Sequence, residues 1–323
     1  PISYLNSQTA MPKIVIAGGT GFVGKALSAH FLAQGYEVVI LSRGGTAPTG
    51  TRLVTWDGAS VGTWASELEG AQAVINLSGA SISKRWTPEY KKAVRDSRVK
   101  PTLAIGDAIR ACKNPPAQWI NASAVGYYGD TGEHAVSEAS RLGTGFLAEV
   151  CEAWEQALYA ADLPGTRRSA VRIGVVLGEG GGALDVLAKI TKAFLGGAVG
   201  SGQQWMAWIH IDDLVALFDW ILQQNFSGAV NGVAPEPIRN TDFMAVLRDT
   251  LGRPFAPPAP AFALKIAGVA MGMQTDLLLE SQRVYPTIAP ARGFTYRFPE
   301  IQPALAELLQ AERPAFLSTG QPS

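Results

Sequence analysis

Short β-branched runs recur along the chain at Ile14 to Ala17, Glu37 to Leu41, Arg52 to Thr55, Ala73 to Leu77, Gln118 to Ala122 and Ala170 to Val176. Between them lie longer stretches in which apolar residues return every three or four positions. Brief apolar runs bounded by turn residues predict buried strands, and the longer periodicity predicts helices over 21–34, 88–112, 143–162 and 211–223. Thr87-Pro88-Glu89 marks the start of the second helix, a capping hydroxyl followed by proline at the first helical position. Strands alternating with helices predict an α/β fold, a doubly wound parallel sheet. After Leu177 the texture changes: glycines crowd 178–202, and Pro254, Pro257, Pro258 and Pro260 punctuate a later linker. This predicts a smaller, mainly helical C-terminal lobe built from 179–208 and 235–318, with 11–178 and 209–234 forming the larger domain. The polar stretch 1–10 reads as a flexible leader before Met11.

The first strand runs straight into Gly18-Gly19-Thr20-Gly21-Phe22-Val23-Gly24, and Gly19, Gly21 and Gly24 fit the G-x-G-x-x-G pattern. Between a strand and an amphipathic helix, such a turn is the dinucleotide fingerprint of a Rossmann-type sheet. One glycine permits the tight turn, one lets backbone N–H groups approach a pyrophosphate, and one lets helix and strand touch. The diphosphate then sits at the positive end of the helix dipole.

The position after the second strand selects between cofactors. A carboxylate there accepts hydrogen bonds from the ribose 2′-OH of NAD. Here it is Ser42-Arg43, a hydroxyl and a guanidinium suited to a 2′-phosphate, so the expected cofactor is NADP(H). Asn76-Leu77-Ser78-Gly79-Ala80 closes the fourth strand with small residues that let backbone pass close to the cofactor. Asp57, ending the third strand after Trp56, is placed to reach an adenine ring.

Composition narrows the partners. Of 323 residues, 47% are hydrophobic, which implies a large core, and Lys+Arg balance Asp+Glu at 27 each. With no global field, neither nucleic acid nor an anionic membrane is an expected partner; a small molecule is. Cys112 and Cys151 suggest neither a disulfide framework nor a metal pattern, so a reducing, cytoplasmic setting without metal is expected.

Several phrases in one order resemble a known group. They are Gly18 to Gly24, Asn76-Leu77-Ser78-Gly79-Ala80, Lys84-Arg85-Trp86, Ser97-Arg98, Gly126-Tyr127-Tyr128-Gly129 and Trp208-Ile209-His210-Ile211-Asp212-Asp213-Leu214. The chain is similar to the atypical extended short-chain dehydrogenases known as the epimerase family, nucleoside-diphosphate-sugar epimerase-like proteins of which some carry a SulA-like label. The resemblance runs from about Met11 to Leu309. It implies NADP contacts at Ser42, Arg43, Leu77, Ser78, Arg98 and Val176, the last on the sixth strand. By its residue context alone, Arg98 reads as a solvated charge among Lys91, Lys92 and Arg95.

The resemblance also implies chemistry on a nucleotide-linked or small carbonyl or alcohol. Active members use a Tyr-x-x-x-Lys pair on one helix, where residues four apart share a face, with a serine ending the preceding strand. Ser123 takes the serine place, but Phe146 and Val150 stand where tyrosine and lysine belong. Tyr127 and Tyr128 are candidate substitute bases, as are Glu149 and Glu152, each with an alternative reading as packing or solvated surface. Two functions follow: an epimerase or oxidoreductase working through Ser123, Tyr127 or Tyr128, or a non-enzymatic NADP(H)-binding, redox-responsive regulator, either one open to oligomer formation. His210 is expected to fix the returning segment by hydrogen bonds, and Asp213 to favour the start of the helix that follows. Gln204 and Trp205 are placed to meet a ring-shaped ligand, and Arg283 an anionic group.

Overall fold

A computed structural model describes residues 11–258, 274 and 278–309. The expected leader 1–10, Pro260 and parts of the expected C-terminal lobe lie outside the described residues. The strands are β1 (Lys13–Ala17), β2 (Glu37–Ser42), β3 (Arg52–Thr55), β4 (Ala73–Asn76), β5 (Gln118–Ala124), β6 (Arg167–Ile173), β7 (Val175–Leu177), β8 (Trp205–Met206), β9 (Trp208–His210), β10 (Gly228–Gly232) and β11 (Ile238–Arg239). Seven of them form one sheet in the order β10-β6-β5-β4-β1-β2-β3. Every pairing in it is parallel. The order reverses between β1 and β4, and in such sheets ligands lie outside the carboxyl ends of the strands at that switch.

Strand periodicity divides the core. Ile14, Ile16, Val38, Ile40, Ala73 and Ile75 point to one face, where α1 (Phe22–Ala33) supplies Leu27 and Phe31 and α5 (Ile211–Gln223) supplies Leu214, Leu217, Phe218 and Ile221. The alternate residues Val15, Ala17, Val39, Leu41 and Val74 meet Ala104, Ile105 and Ile109 of α2 (Pro88–Ala111), with Leu158 of α3 (Phe146–Ala160). Both faces are covered, which a parallel sheet requires. The Rossmann-type expectation therefore holds. A further cluster joins Leu177 and Trp208 to Leu184 and Ala188 of α4 (Gly182–Lys192), Phe243 and Leu247 of α6 (Asn240–Thr250), and Leu305 of the helix Ile301–Leu309.

Two expectations change. The third helix begins at Phe146 rather than 143, because Gly145 precedes it at φ +101, a left-handed value that no helix continues. The run Ala170 to Val176 is not one strand. Its β-branched residues resume after Gly174 at Val175 and Val176, but the hydrogen-bond partner changes at that glycine: Gly174 donates to the carbonyl of Gly232, the last residue of β10, whereas Val175 donates to Ala207 O (2.8 Å) just before β9. Val176 consequently pairs with Ile209 in a separate two-stranded ladder and is not part of the main sheet.

Candidate cofactor and active site

At the switch point a cavity of about 350 Å³ opens between three strand-end turns. Its floor is the turn Gly18-Thr20-Gly21, one wall is Ser42, Arg43 and Asp57, and the other is Leu77, Ser78 and Gly79. The backbone joins these turns directly: Gly18 N–H donates to Leu41 O (3.0 Å), and Leu77 N–H donates to Ala17 O (2.9 Å). Gly24 is where α1 presses on the turn. A Cβ there would stand 2.5 Å from Gly19 Cα, so only glycine fits. A Cβ on Gly21 would meet nothing nearer than Gly18 O at 3.5 Å and would project into the cavity instead. Gly19, Phe22, Val23 and Gly24 thus support the turn, while Gly18, Thr20 and Gly21 face the space.

The polar groups on these walls are held differently. Ser42 Oγ is tied to its own turn, donating to Gly44 O (2.6 Å). Arg43 is exposed and pairs with no carboxylate among the described residues. The Asp57 carboxylate accepts from Ser60 Oγ and from the N–H groups of Ser60 and Ala59, and these bonds hold it down at about 2. Asp57 therefore shapes its turn as an anion. Buried Asn76 shapes the opposite wall: its amide donates to Asn121 Oδ1 (2.7 Å) and Thr102 Oγ1 (3.0 Å), and its carbonyl accepts from Ser78 N–H (3.1 Å).

Arg98 is not the solvated charge of its sequence context. Its guanidinium lies against Gly79, donates to Val94 O (3.0 Å) and stacks over Trp154 at 5.2 Å. Burial lowers its pKa, and no described carboxylate compensates it. It flanks the Leu77-Ser78-Gly79 wall from α2. Val176, in contrast, is on β7 and not on the cavity wall.

The candidate catalytic residues lie at the carboxyl ends of β5 and β6, around a network that their sequence context did not reveal. Ser123 Oγ donates to Glu155 Oε1 (2.7 Å). Arg172 clamps the same carboxylate with Nε (2.9 Å) and Nη2 (2.8 Å), and its Nη1 donates to the Tyr128 hydroxyl (3.0 Å). That hydroxyl donates in turn to Asn231 Oδ1 (2.7 Å). Burial opposes the Arg172 charge most strongly, but Glu155 and Tyr128 together outweigh it and raise its pKa. Burial pushes the Tyr128 phenol up to about 12. Tyr127 differs: it is half-buried, its ring face carries the Arg172 guanidinium 3.4 Å from the centroid, and no described residue bonds its hydroxyl. Glu149 is exposed and Glu152 half-buried. The missed residues had a signal: Glu155 falls four after Cys151 and one after Trp154, on the buried face of α3, and Arg172 sits inside an apolar strand.

Where the tyrosine was expected, the Phe146 ring packs edge-on against Trp86, centroids 5.0 Å apart. Cys151 is buried and pushed up to about 12 by that burial. His210 caps α5, its Nδ1 accepting from Asp212 N–H (3.1 Å), while Nε2 bonds Glu307 (3.1 Å). Asp213 accepts from the N–H groups of Arg297 (2.7 Å) and Phe298 (2.9 Å). Trp205 lies between the guanidinium groups of Arg239 (4.4 Å) and Arg283 (4.7 Å), with its Nε1 donating to Glu133, and Gln204 donates to Val199 O and Leu278 O. Among the described residues there is no cluster of metal-ligand type, and no helix is long and apolar enough to cross a membrane.

Comparison with known proteins agrees with this architecture. Residues 14–234 match the NAD dependent epimerase/dehydratase family, and residues 259–308 match a domain of unknown function, DUF1731. The human epimerase family protein SDR39U1 is 36% identical over 92% of this chain and 99% of its own. The Arabidopsis thaliana homolog, described as chloroplastic, is also 36% identical, over 92% of this chain and 86% of its own. A crystal structure of the human protein with NADPH superposes with a TM-score of 0.83 at 33% identity, covering 92% of this chain and 99% of that one. A nucleoside-diphosphate sugar epimerase from Corynebacterium glutamicum gives 0.76 at 33% identity, covering 95% of this chain and 60% of that one. By the extent of these matches, the chain belongs to the NAD dependent epimerase/dehydratase family.

Proposed function

We propose that the chain binds NADP(H) in the switch-point groove and moves hydride to or from a small or nucleotide-linked carbonyl or alcohol. One observation carries the cofactor choice: where NAD selection calls for a carboxylate, the groove presents Ser42 and an unpaired Arg43. The groove fits the group in other respects. Gly21 leaves open the space a side chain would fill, the N-terminus of α1 offers N–H groups to a diphosphate, and Arg98 brings an uncompensated cation to Gly79. NADPH bound to a family relative of known structure supports the same reading. The nucleotide-sugar relative supports a nucleotide-linked substrate.

When bound, the nicotinamide supplies or takes the hydride. Arg43 would hold the 2′-phosphate, Ser42 Oγ could join it only by releasing Gly44 O, and the Leu77–Gly79 turn would flank the ribose and diphosphate. The proton must come from a group other than Phe146 or Val150, which have none to give. Among the described residues, Tyr127 has the free hydroxyl of the candidate set, and the Arg172 guanidinium lies 3.4 Å from its ring centroid. Ser123 and Tyr128 hold Glu155 and Arg172 in place. A second reading, an NADP(H)-binding regulator without turnover, draws support from the same commitments, since the Ser123 and Tyr128 hydroxyls are already engaged.

Titration with NADPH and NADH tests the cofactor choice. Arg43→Ala should weaken NADPH by about tenfold or more, the scale of one charge-assisted contact, and leave NADH nearly unchanged. Unchanged NADPH affinity, with NADH bound equally well by the parent chain, would exclude it.

A further inference from the structure

Of the six cations of α2, Arg110 pairs with Asp107 and Arg95 is exposed, and the other four fall into two sets. On one face Asp96 pairs with both Lys92 (2.6 Å) and Lys100 (3.2 Å), an exposed, self-compensated cluster. On the face toward α3, Lys91 and Arg98 form no ion pair among the described residues, and each rests on an aromatic ring. Arg98 stacks over Trp154, and Lys91 Nζ stands 5.0 Å from the Phe146 centroid and 6.0 Å from that of Trp86. The carboxylates nearest in sequence on these two helices, Glu89 and Glu149, are exposed and unpaired with Lys91.

The rungs have a fixed spacing. Arg98 follows Lys91 by seven helical positions, about 10 Å along the axis. The inner rung touches Gly79 at the wall of the dinucleotide groove. The outer rung lies at the N-terminal ends of α2 and α3, where the first turn of α3 packs on the turn bearing Tyr127: a Cβ on Gly126 would be 3.2 Å from Leu147 Cβ. Trp86, in the segment before α2, is itself held in place: Gln274 N–H donates to Ser83 O (2.8 Å), and Gln274 Oε1 accepts from Trp86 N–H (3.4 Å).

Two aromatic rings fix an ammonium in place by its charge and its methylene stem while using none of its three N–H donors. Those donors are left to water or to an incoming anion. From this arrangement we infer that Lys91, walled by Trp86 and Phe146, is an anion subsite separate from the dinucleotide groove. It binds an anionic oxygen, carboxylate or phosphate, of the molecule that enters beside the cofactor. This rests on the proposed cofactor site only for the order of the two ligands along α2.

Calorimetric titration of inorganic phosphate and of malonate tests it, using the full chain with and without saturating NADPH. Loading with NADPH fills the anion sites at Arg43 and Arg98 and isolates the outer one. The parent chain should bind at least one probe, Lys91→Gln should weaken that binding about tenfold, and Lys91→Arg should retain most of it, with NADPH affinity the same in all three. A preference for phosphate assigns a phosphorylated ligand, and a preference for malonate a carboxylated one. Equal binding by Lys91→Gln, or no binding of either probe by the parent chain, would overturn the inference. Failure of the parent chain to bind NADPH would instead remove the cofactor reading, and the unloaded titration would still report on Lys91.

Discussion

At the Ser42–Arg43 end of the sheet's ligand edge, the cation pairs with no carboxylate among the described residues, and the turn beneath it leaves a cavity open. At the Ser123 end, the polar groups are committed to one another: Glu155 accepts from Ser123 and twice from Arg172, and Tyr128 bonds both Arg172 and Asn231. An edge that leaves a cation unpaired beside a cavity is arranged for a ligand, whereas a closed network holds backbone elements in register. The difference teaches that occupying the position of a family's catalytic serine does not by itself leave a hydroxyl available for chemistry. Tyr127, beside the network but outside its bonds, is the exception at that end.

Breaking the closed network should have the largest effect. The side chains of Glu155 and Arg172 are only 10% and 6% exposed, so Glu155→Leu strands a buried guanidinium and should cost about 3–5 kcal/mol in urea unfolding. The double variant with Arg172→Leu should recover most of that loss; no recovery would mean that the pair is not what the network depends on. Next, Tyr128→Phe removes a hydroxyl that serves two buried partners and should cost about 1–3 kcal/mol. Smallest is Tyr127→Phe, whose hydroxyl has no described partner: stability should change by less than about 0.5 kcal/mol. Under the enzymatic reading, turnover of a responsive carbonyl should nevertheless collapse in Tyr127→Phe. Full turnover in that variant would move the proton donor elsewhere.

Much of this was legible in the sequence. Apolar alternation in β1, β2 and β4 gave both faces of the sheet, and the glycine turn and Ser42-Arg43 fall on one cavity because fold geometry brings the ends of successive parallel strands together. The break at Gly174 had only the glycine itself as a signal, since β-branched residues resume at Val175 and the change of hydrogen-bond partner is what divides β6 from β7. Nor was the Glu155–Arg172 pair: a charged residue on a helix reads as solvated until the opposing strand is known. Lys91 was hidden for the same reason, and Arg98 was visible only through the family resemblance, as their distinction from Lys92 and Lys100 depends on which face of α2 meets α3.

The contrast between an open end and a closed one is most directly tested by a crystal structure of the chain with NADPH. The adenosine 2′-phosphate should lie against Ser42 and Arg43, with the diphosphate over the Gly18–Gly24 turn and the Ser123–Glu155–Arg172–Tyr128 bonds intact. A 2′-phosphate directed away from Arg43, or a cofactor that draws Ser123 off Glu155, would contradict it.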